Sequence, residues 1–121
     1  MENFIKQAKL IKEDLLNYRR TIHSNPEVGD KLPKTKAFVM DKLREFGYEP
    51  IEICESGIVA TIEGNKSSKT FLLRADMDAL PMKEDTNCDF KSNNGCMHSC
   101  GHDMHTAMLL GAAKLLKQNQ D

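Results

Sequence analysis

The sequence predicts an α/β sandwich, and three observations support this fold class. Two segments with helical spacing of apolar residues come first, short β-branched segments follow them, and a third apolar helical segment comes after a long loop. This order suits a sheet covered by helices, with functional loops leaving the carboxyl ends of the strands. A length of 121 residues allows one domain at most.

The helical segments are defined by their apolar spacing and by the residues that stop them. Residues 4–24 carry apolar side chains on one face, and Pro26 ends this helix because the residue before a proline avoids the α region. A second amphipathic helix is predicted over residues 34–46, and Gly47 is its natural carboxyl-terminal stop. The third helix is predicted over residues 104–118, where apolar side chains on most sides require cover.

Between the second and third helices, the spacing of apolar residues is no longer helical and becomes typical of strands. Residues 50–54 and 58–62 are each predicted to form a short strand, and residues 64–68 are predicted to form a turn. The continuous apolar run at residues 70–75 predicts a buried central strand. Residues 76–103 are predicted to be mostly loop, so both chemically rich segments fall beside the ends of these elements.

Composition excludes several classes of partner. The formal net charge is −1, from 17 basic and 18 acidic residues, which argues against nucleic acid or an anionic membrane as the main partner. The first residues do not resemble a secretory signal, and no apolar run reaches the roughly 20 residues that span a bilayer. We therefore expect a cytoplasmic protein, in which disulfides among the four cysteines are the less favoured use.

The densest chemistry lies in the run CMHSCGHDMH at residues 96–105, which holds two thiols, three imidazoles and a carboxylate. Thiolate and imidazole together are ligands that borderline-soft metals prefer. Cys100 and His102 are two positions apart, so in an extended segment they point the same way and can reach one ion. Asp103 is expected to cap the following helix. The weaker candidate ligands are His98, His105 and Cys96.

A second segment of interest follows the predicted central strand. Asp76 and Asp78 are poor strand residues, and carboxylates at this place are expected where a cation or a metal-bound histidine needs an anionic neighbour. The alternative is a solvated turn in which one aspartate caps a helix or pairs with Arg74.

Three motifs together resemble the metal-dependent N-acyl-amino-acid amidohydrolases, in the branch of hippurate hydrolases, indole-acetyl-amino-acid hydrolases and N-acetyldiaminopimelate deacetylases. The motifs are Arg20, His23, Pro26 and Glu27, then RADMDALP at residues 74–81, then MHSCGHDMHTA at residues 97–107. The resemblance covers nearly all of the chain. It implies a zinc-peptidase-like α/β catalytic domain with two metal ions (manganese, zinc or cobalt) and a smaller inserted dimerisation domain.

The same resemblance implies an activity and site residues. Family members cleave the amide between an acyl group and an amino acid, so the partner would be a small N-acyl amino acid, and a homo-oligomer is expected. Cys100 and His102 match the first two metal ligands. Asp76 or Asp78 matches the catalytic acidic residue that orients a ligand near the metals, and the resemblance leaves open which one. No substrate-binding residue is assigned.

The sequence departs from the family pattern in one respect. The family has an adjacent Glu-Glu pair on a following strand, which supplies the general base and a ligand, and this dipeptide is absent from residues 1–121. We therefore expect this chain to be the amino-terminal portion of the catalytic domain, without the inserted domain. We expect that this portion alone binds metal weakly and does not turn over substrate. We also expect an exposed sheet edge or apolar helix face, and therefore a chain that dimerises, swaps elements with another copy or needs its missing part.

Two other functions fit the same residues. One is a small non-catalytic zinc module in which Cys96, His98, Cys100 and His102 form a closed structural site. The other is a redox or interaction protein that uses Cys96 and Cys100.

Overall fold

The structure is a computed structural model that describes residues 3–65 and 69–120. Helices come first, two short strands follow and a long helix comes last, with the bounds α1 Phe4–Leu10, α2 Lys12–His23, α3 Pro33–Glu45, β1 Ile51–Ile53, β2 Gly57–Val59 and α4 His102–Gln118. Strands β1 and β2 form an antiparallel pair in which Ile51 lies opposite Val59 and Ile53 opposite Gly57. The α/β class is confirmed.

The first predicted helix is two helices. Ile11 lies between α1 and α2 with φ −96° and ψ 13°, outside helical geometry, and its side chain is buried. The short α1 begins at Asn3, whose side-chain oxygen accepts from the backbone N–H of Ile5 and of Lys6. This capping satisfies amides that have no partner inside a helix.

Helix α3 agrees with its prediction to within one residue at each end. It begins with Pro33, whose fixed φ suits the first helical position. The carboxylate of Glu27 accepts from the backbone N–H of Lys34 and of Thr35 at 3.1 and 2.7 Å, which stabilises the positive end of the helix. Gly47 ends the helix with φ +92°, as predicted from its lack of a side chain.

The hydrophobic core lies between α2, α3 and α4. Its fully buried members are Tyr18, Val39, Leu43, Tyr48, Ala107 and Leu110. The hydroxyl of Tyr48 donates to the carbonyl of Ala113 at 2.8 Å, which satisfies its polar end. This core fixes α4 against α2, and so places the first turn of α4 relative to the end of α2.

The prediction of a buried central strand over residues 70–75 is wrong in this structure. Phe71, Leu72 and Leu73 are 83, 88 and 57% exposed, and among the described residues no strand pairs with them. An apolar run shows that a segment favours burial, but it does not specify what covers the segment. Residues 66–68 of the predicted turn lie outside the described residues.

Helix α4 begins two residues earlier than predicted, and this changes the role of Asp103. The N-cap is Gly101, with φ +95° and no side-chain hydrogen bond, so Asp103 lies in the first turn and is not the N-cap. Met104, Met108 and Leu116 are exposed on one side of the helix, which confirms the expectation of an exposed apolar face. Across the described part of the chain, no helix has the length and apolar character to cross a membrane.

Candidate metal centre

The loop between β2 and α4 is tied to the rest of the molecule on both sides of Asp78. The N–H of Ala79 donates to the carbonyl of Glu27 at 2.7 Å, and Leu80 and Met97 exchange two backbone hydrogen bonds of 2.9 and 3.0 Å. The hydroxyl of Thr106 on α4 donates to the carbonyl of Asp76 at 2.9 Å. These bonds hold Asp76 and Asp78 against the first turn of α4.

His102 is held by Asp78. Its Nδ1 lies 2.9 Å from Oδ1 and 2.9 Å from the backbone carbonyl of Asp78, and both are acceptors, so Nδ1 carries the proton. In the neutral ring, Nε2 therefore presents a lone pair. This is the arrangement by which a carboxylate sets the tautomer and orientation of a metal-binding histidine.

The other side of the His102 ring faces Asp76. Nε2 of His102 is 3.5 Å from Oδ2 of Asp76, so two acceptor atoms of the neutral ring and the carboxylate face each other. Such a pair is favourable only when a proton or a metal cation lies between the atoms. The neighbouring Oδ1 accepts from Nδ1 of His105 at 2.8 Å, and this hydrogen bond lowers the pKa of Asp76 and keeps it ionised.

The donor set fits a divalent metal ion. One ligand atom each from Asp76, His102 and His105 lies within 4.8 Å of the others, and the rings of His102 and His105 are stacked at 5.6 Å. Two imidazoles and a carboxylate are ligands typical of zinc and neighbouring metals, and three protein ligands are usual in a catalytic site with an open position. The cluster is half-exposed, so a substrate could reach it.

The structure brings together some of the predicted site residues and separates others. Asp76, Asp78 and His102 lie together, and His105, a weaker candidate in the sequence, joins them. Cys100 is exposed and lies outside this cluster. Its assignment as a ligand stays a prediction.

The closed zinc site of Cys96, His98, Cys100 and His102 is not assembled within residues 3–65 and 69–120. Both ring nitrogens of His98 are buried without a hydrogen-bond partner in the structure. Burial lowers the pKa of His98, which favours its neutral ring.

A second group of metal-type ligands lies under the first. His23, Glu84 and Cys88 bring one donor atom each within 4.8 Å. These atoms satisfy one another, because His23 Nε2 is 2.9 Å from Glu84 Oε1 and the Cys88 thiol donates to the same oxygen at 3.7 Å. Sequence analysis missed Glu84, because in the polar run KEDT at residues 83–86 nothing distinguishes it from a solvated acid.

Comparison with known proteins agrees with this chemistry. Residues 72–121, which include both aspartates, Cys100 and His102, match peptidase family M20/M25/M40. The whole chain is 45% identical to thermostable carboxypeptidase 2 of Saccharolobus solfataricus and covers 32% of it. Over 92% of its length it is 42% identical to the N-acyl-L-amino acid amidohydrolase of Geobacillus stearothermophilus, of which it covers 30%.

A solved structure shows the same fold. A dinuclear metal-binding peptidase of the M20 family from Bacillus subtilis superimposes with a TM-score of 0.87 at 37% identity, over 93% of this chain and 32% of that one. The chain thus spans about a third of the length of the relatives it matches. Over residues 72–121 the chain is thus similar to peptidase family M20/M25/M40, and its fold is similar to that of the M20 peptidase from Bacillus subtilis.

Proposed function

We propose that this chain supplies the first part of the metal-binding catalytic domain of an amidohydrolase that cleaves N-acyl amino acids. The carrying observation is the geometry of His102, whose Nδ1 is fixed by Asp78 while Nε2 faces the carboxylate of Asp76. The name of the Geobacillus relative, an N-acyl-L-amino acid amidohydrolase, supports N-acyl amino acids as the substrate class. The dinuclear metal-binding peptidase from Bacillus subtilis supports a dinuclear centre.

Each residue of the centre has a distinct role in this proposal. Cys100 and His102 would be metal ligands, and Asp78 orients His102 through Nδ1. Asp76 holds His105 by a hydrogen bond and places negative charge beside Nε2 of His102. In the full enzyme, two bound divalent ions (manganese, zinc or cobalt) would supply Lewis-acid chemistry, lowering the pKa of a bound water and polarising the scissile carbonyl.

We further propose that residues 1–121 alone bind metal weakly and do not hydrolyse amides. The family resemblance matches two metal ligands in this sequence, Cys100 and His102, and the Glu-Glu pair that it assigns as base and ligand is not in the sequence. A general base must lie within hydrogen-bond reach of the attacking water. Amide hydrolysis by the purified chain would contradict this part of the proposal. The cytoplasmic location stays a prediction.

Titration of the chain with Co²⁺, followed by its visible absorption, tests the proposed site. We expect the wild-type chain to bind the ion and His102→Ala to abolish the absorption bands. Asp78→Asn should weaken the affinity by about 10- to 100-fold, because it removes the charge that orients the ligand. The matched control is Asp85→Asn, an exposed acid of the same loop, which should leave the affinity unchanged.

Two results would contradict the proposal. Equal Co²⁺ binding by wild type and His102→Ala would exclude His102 as a ligand. A loss in Cys96→Ser as large as in His102→Ala would instead support the closed structural zinc site, since Cys96 belongs to that site alone.

A further inference from the structure

A buried network of polar side chains includes Asp103, the residue that follows His102 of the candidate metal centre. His23 at the end of α2 is 4% exposed, Glu84 of the long loop is 2% exposed, and Asp103 in the first turn of α4 is 1% exposed. His23 Nδ1 is 2.8 Å from Asp103 Oδ2, and Nε2 is 2.9 Å from Glu84 Oε1. One imidazole therefore joins the loop and two helices.

The charges of the network follow from its hydrogen bonds. Burial would raise the pKa of both acids, but hydrogen bonds from His23 and Arg19 lower the pKa of Asp103, and those from Thr86, His23 and Ser92 lower the pKa of Glu84. Both acids are thus carboxylates, which only accept. Each ring nitrogen of His23 lies within hydrogen-bond distance of one of these carboxylates, so His23 links the two acids.

The network can determine the orientation of the first turn of α4, because no side chain caps that turn. Gly101 provides the N-cap with φ +95° and without a side-chain hydrogen bond. Asp103 contacts α2 through His23 and Arg19, whereas the preceding residue, His102, contacts Asp78. Successive helical positions are about 100° apart. Any rotation of this turn that breaks the contact of Asp103 therefore also moves His102 and His105.

We propose that His23 is a positioning residue for the metal centre: by holding Asp103 against Glu84, it fixes the rotation of the first turn of α4 and so the placement of His102 and His105. This inference rests on the proposed function, since it assigns a purpose to the placement of those two side chains.

The chain provides a matched pair of residues for the test. Arg19 and Arg20 both place their guanidinium groups over the ring of Phe90, at 5.8 and 5.4 Å, but only Arg19 donates to Asp103, from Nε at 3.1 Å. Arg19→Ala therefore removes one bond to Asp103 with partial loss of packing, and Arg20→Ala reproduces the loss of packing alone. His23→Gln keeps N–H donors at one terminal atom only, and its other terminal atom is an oxygen that accepts, so it cannot donate to the two carboxylates from opposite ends as the ring does.

The first readout is independent of metal. Hydrogen exchange measured by NMR should accelerate at the backbone amides of residues 104–107 in His23→Gln, and less in Arg19→Ala, while amides of residues 110–117 keep their wild-type rates. Arg20→Ala should match the wild type throughout. Uniform acceleration along α4 would show general destabilisation, and unchanged exchange at residues 104–107 would show that Asp103 is held without His23; either result overturns the inference.

The second readout is the Co²⁺ spectrum, which reports ligand geometry and which a merely structural role would not change in a folded variant. We expect His23→Gln to shift the bands and to raise the dissociation constant about tenfold, with Arg20→Ala unchanged. An unaltered spectrum and affinity in His23→Gln would overturn the inference while leaving the proposed function standing. Absence of Co²⁺ binding by the wild type would overturn the proposed function, and the exchange data would still decide whether His23 fixes this turn.

Discussion

At the scale of single residues, Glu84 is a buried carboxylate that accepts several hydrogen bonds. Its two oxygens accept from His23, from the hydroxyl of Thr86 at 2.6 Å and from the N–H of Ser92 at 2.7 Å. A buried carboxylate is tolerated only when it is paired and hydrogen-bonded in this way. The stability of the long loop therefore depends on an ionised Glu84.

Glu84→Gln is predicted to reduce the free energy of unfolding by about 1–3 kcal/mol at neutral pH, because the amide nitrogen that replaces one carboxylate oxygen cannot accept the hydrogen bonds made by His23, Thr86 or Ser92. The pKa of Glu84 is lowered on folding, so its stabilising effect is complete above its unfolded pKa of about 4 and is lost as the pH falls toward the folded value. The difference between wild type and variant should thus narrow at low pH. Urea unfolding between pH 3 and 7 measures it.

The control is Glu45→Gln, which alters an exposed ion pair with Lys42 and should cost about 0–1 kcal/mol. A difference between wild type and Glu84→Gln that is small at neutral pH, or that widens in acid, would contradict an ionised and paired Glu84.

At the scale of elements, the contact between α2 and α4 decides where the metal centre stands. Gly111 in the middle of α4 lies against Leu15, and a Cβ at this glycine would be 2.5 Å from Leu15 Cδ2. Glycine costs about 1 kcal/mol in a helix relative to alanine. Its presence here is therefore explained by close approach of the two helices and not by helix formation.

Gly111→Ala should be less favourable in the wild type than in a Leu15→Ala background, by about 1 kcal/mol or more. In the wild type the new methyl group meets Leu15, and overpacking offsets the gain in helix propensity. With Leu15 truncated, only the gain in propensity remains. A double-mutant cycle from urea unfolding gives the coupling energy, and additivity within about 0.3 kcal/mol would show that the helices do not meet as described.

At the scale of the whole molecule, two of the exposed apolar surfaces lie close to the candidate metal centre in sequence. One is the segment Phe71 to Leu73, and the other is the face of α4 that carries Met104, Met108 and Leu116. Soluble monomers seldom expose large contiguous apolar patches, and an unpaired extended segment can pair with another chain. We expect copies of this chain to associate through residues 71–73.

Leu72→Lys is therefore predicted to lower the apparent mass of the chain in light scattering at high concentration, because a charge at the most exposed apolar position opposes association. Leu10→Lys is the matched control, since Leu10 is also highly exposed but lies on α1. A wild-type chain that stays monomeric across the concentration range would contradict self-association. An equal effect of both variants would show that residues 71–73 are not the contact.

The sequence predictions were accurate where a structural feature depends on neighbouring residues in the chain, and inaccurate where it depends on tertiary contacts. Helix α3 was placed to within a residue because Pro33 and Gly47 act on their own backbone. The predictions of a strand at residues 70–75 and of a helix cap at Asp103 were wrong, because both depend on tertiary contacts. No strand pairs with residues 70–75 among the described residues, and the side chain of Asp103 contacts His23 on α2.

The sequence by itself determined the helical segments, the positions of the two short strands, the family resemblance and the residue types that gather at the candidate metal centre, because periodicity, glycine and proline effects and ligand chemistry are carried by the residues themselves. Only the tertiary structure decided that Asp78 orients His102, that His105 joins the cluster through Asp76, and that His23 links Glu84 to Asp103. Those contacts join residues 24 to 80 positions apart, and distance in space between such residues is set by packing of the helices and not by any local pattern.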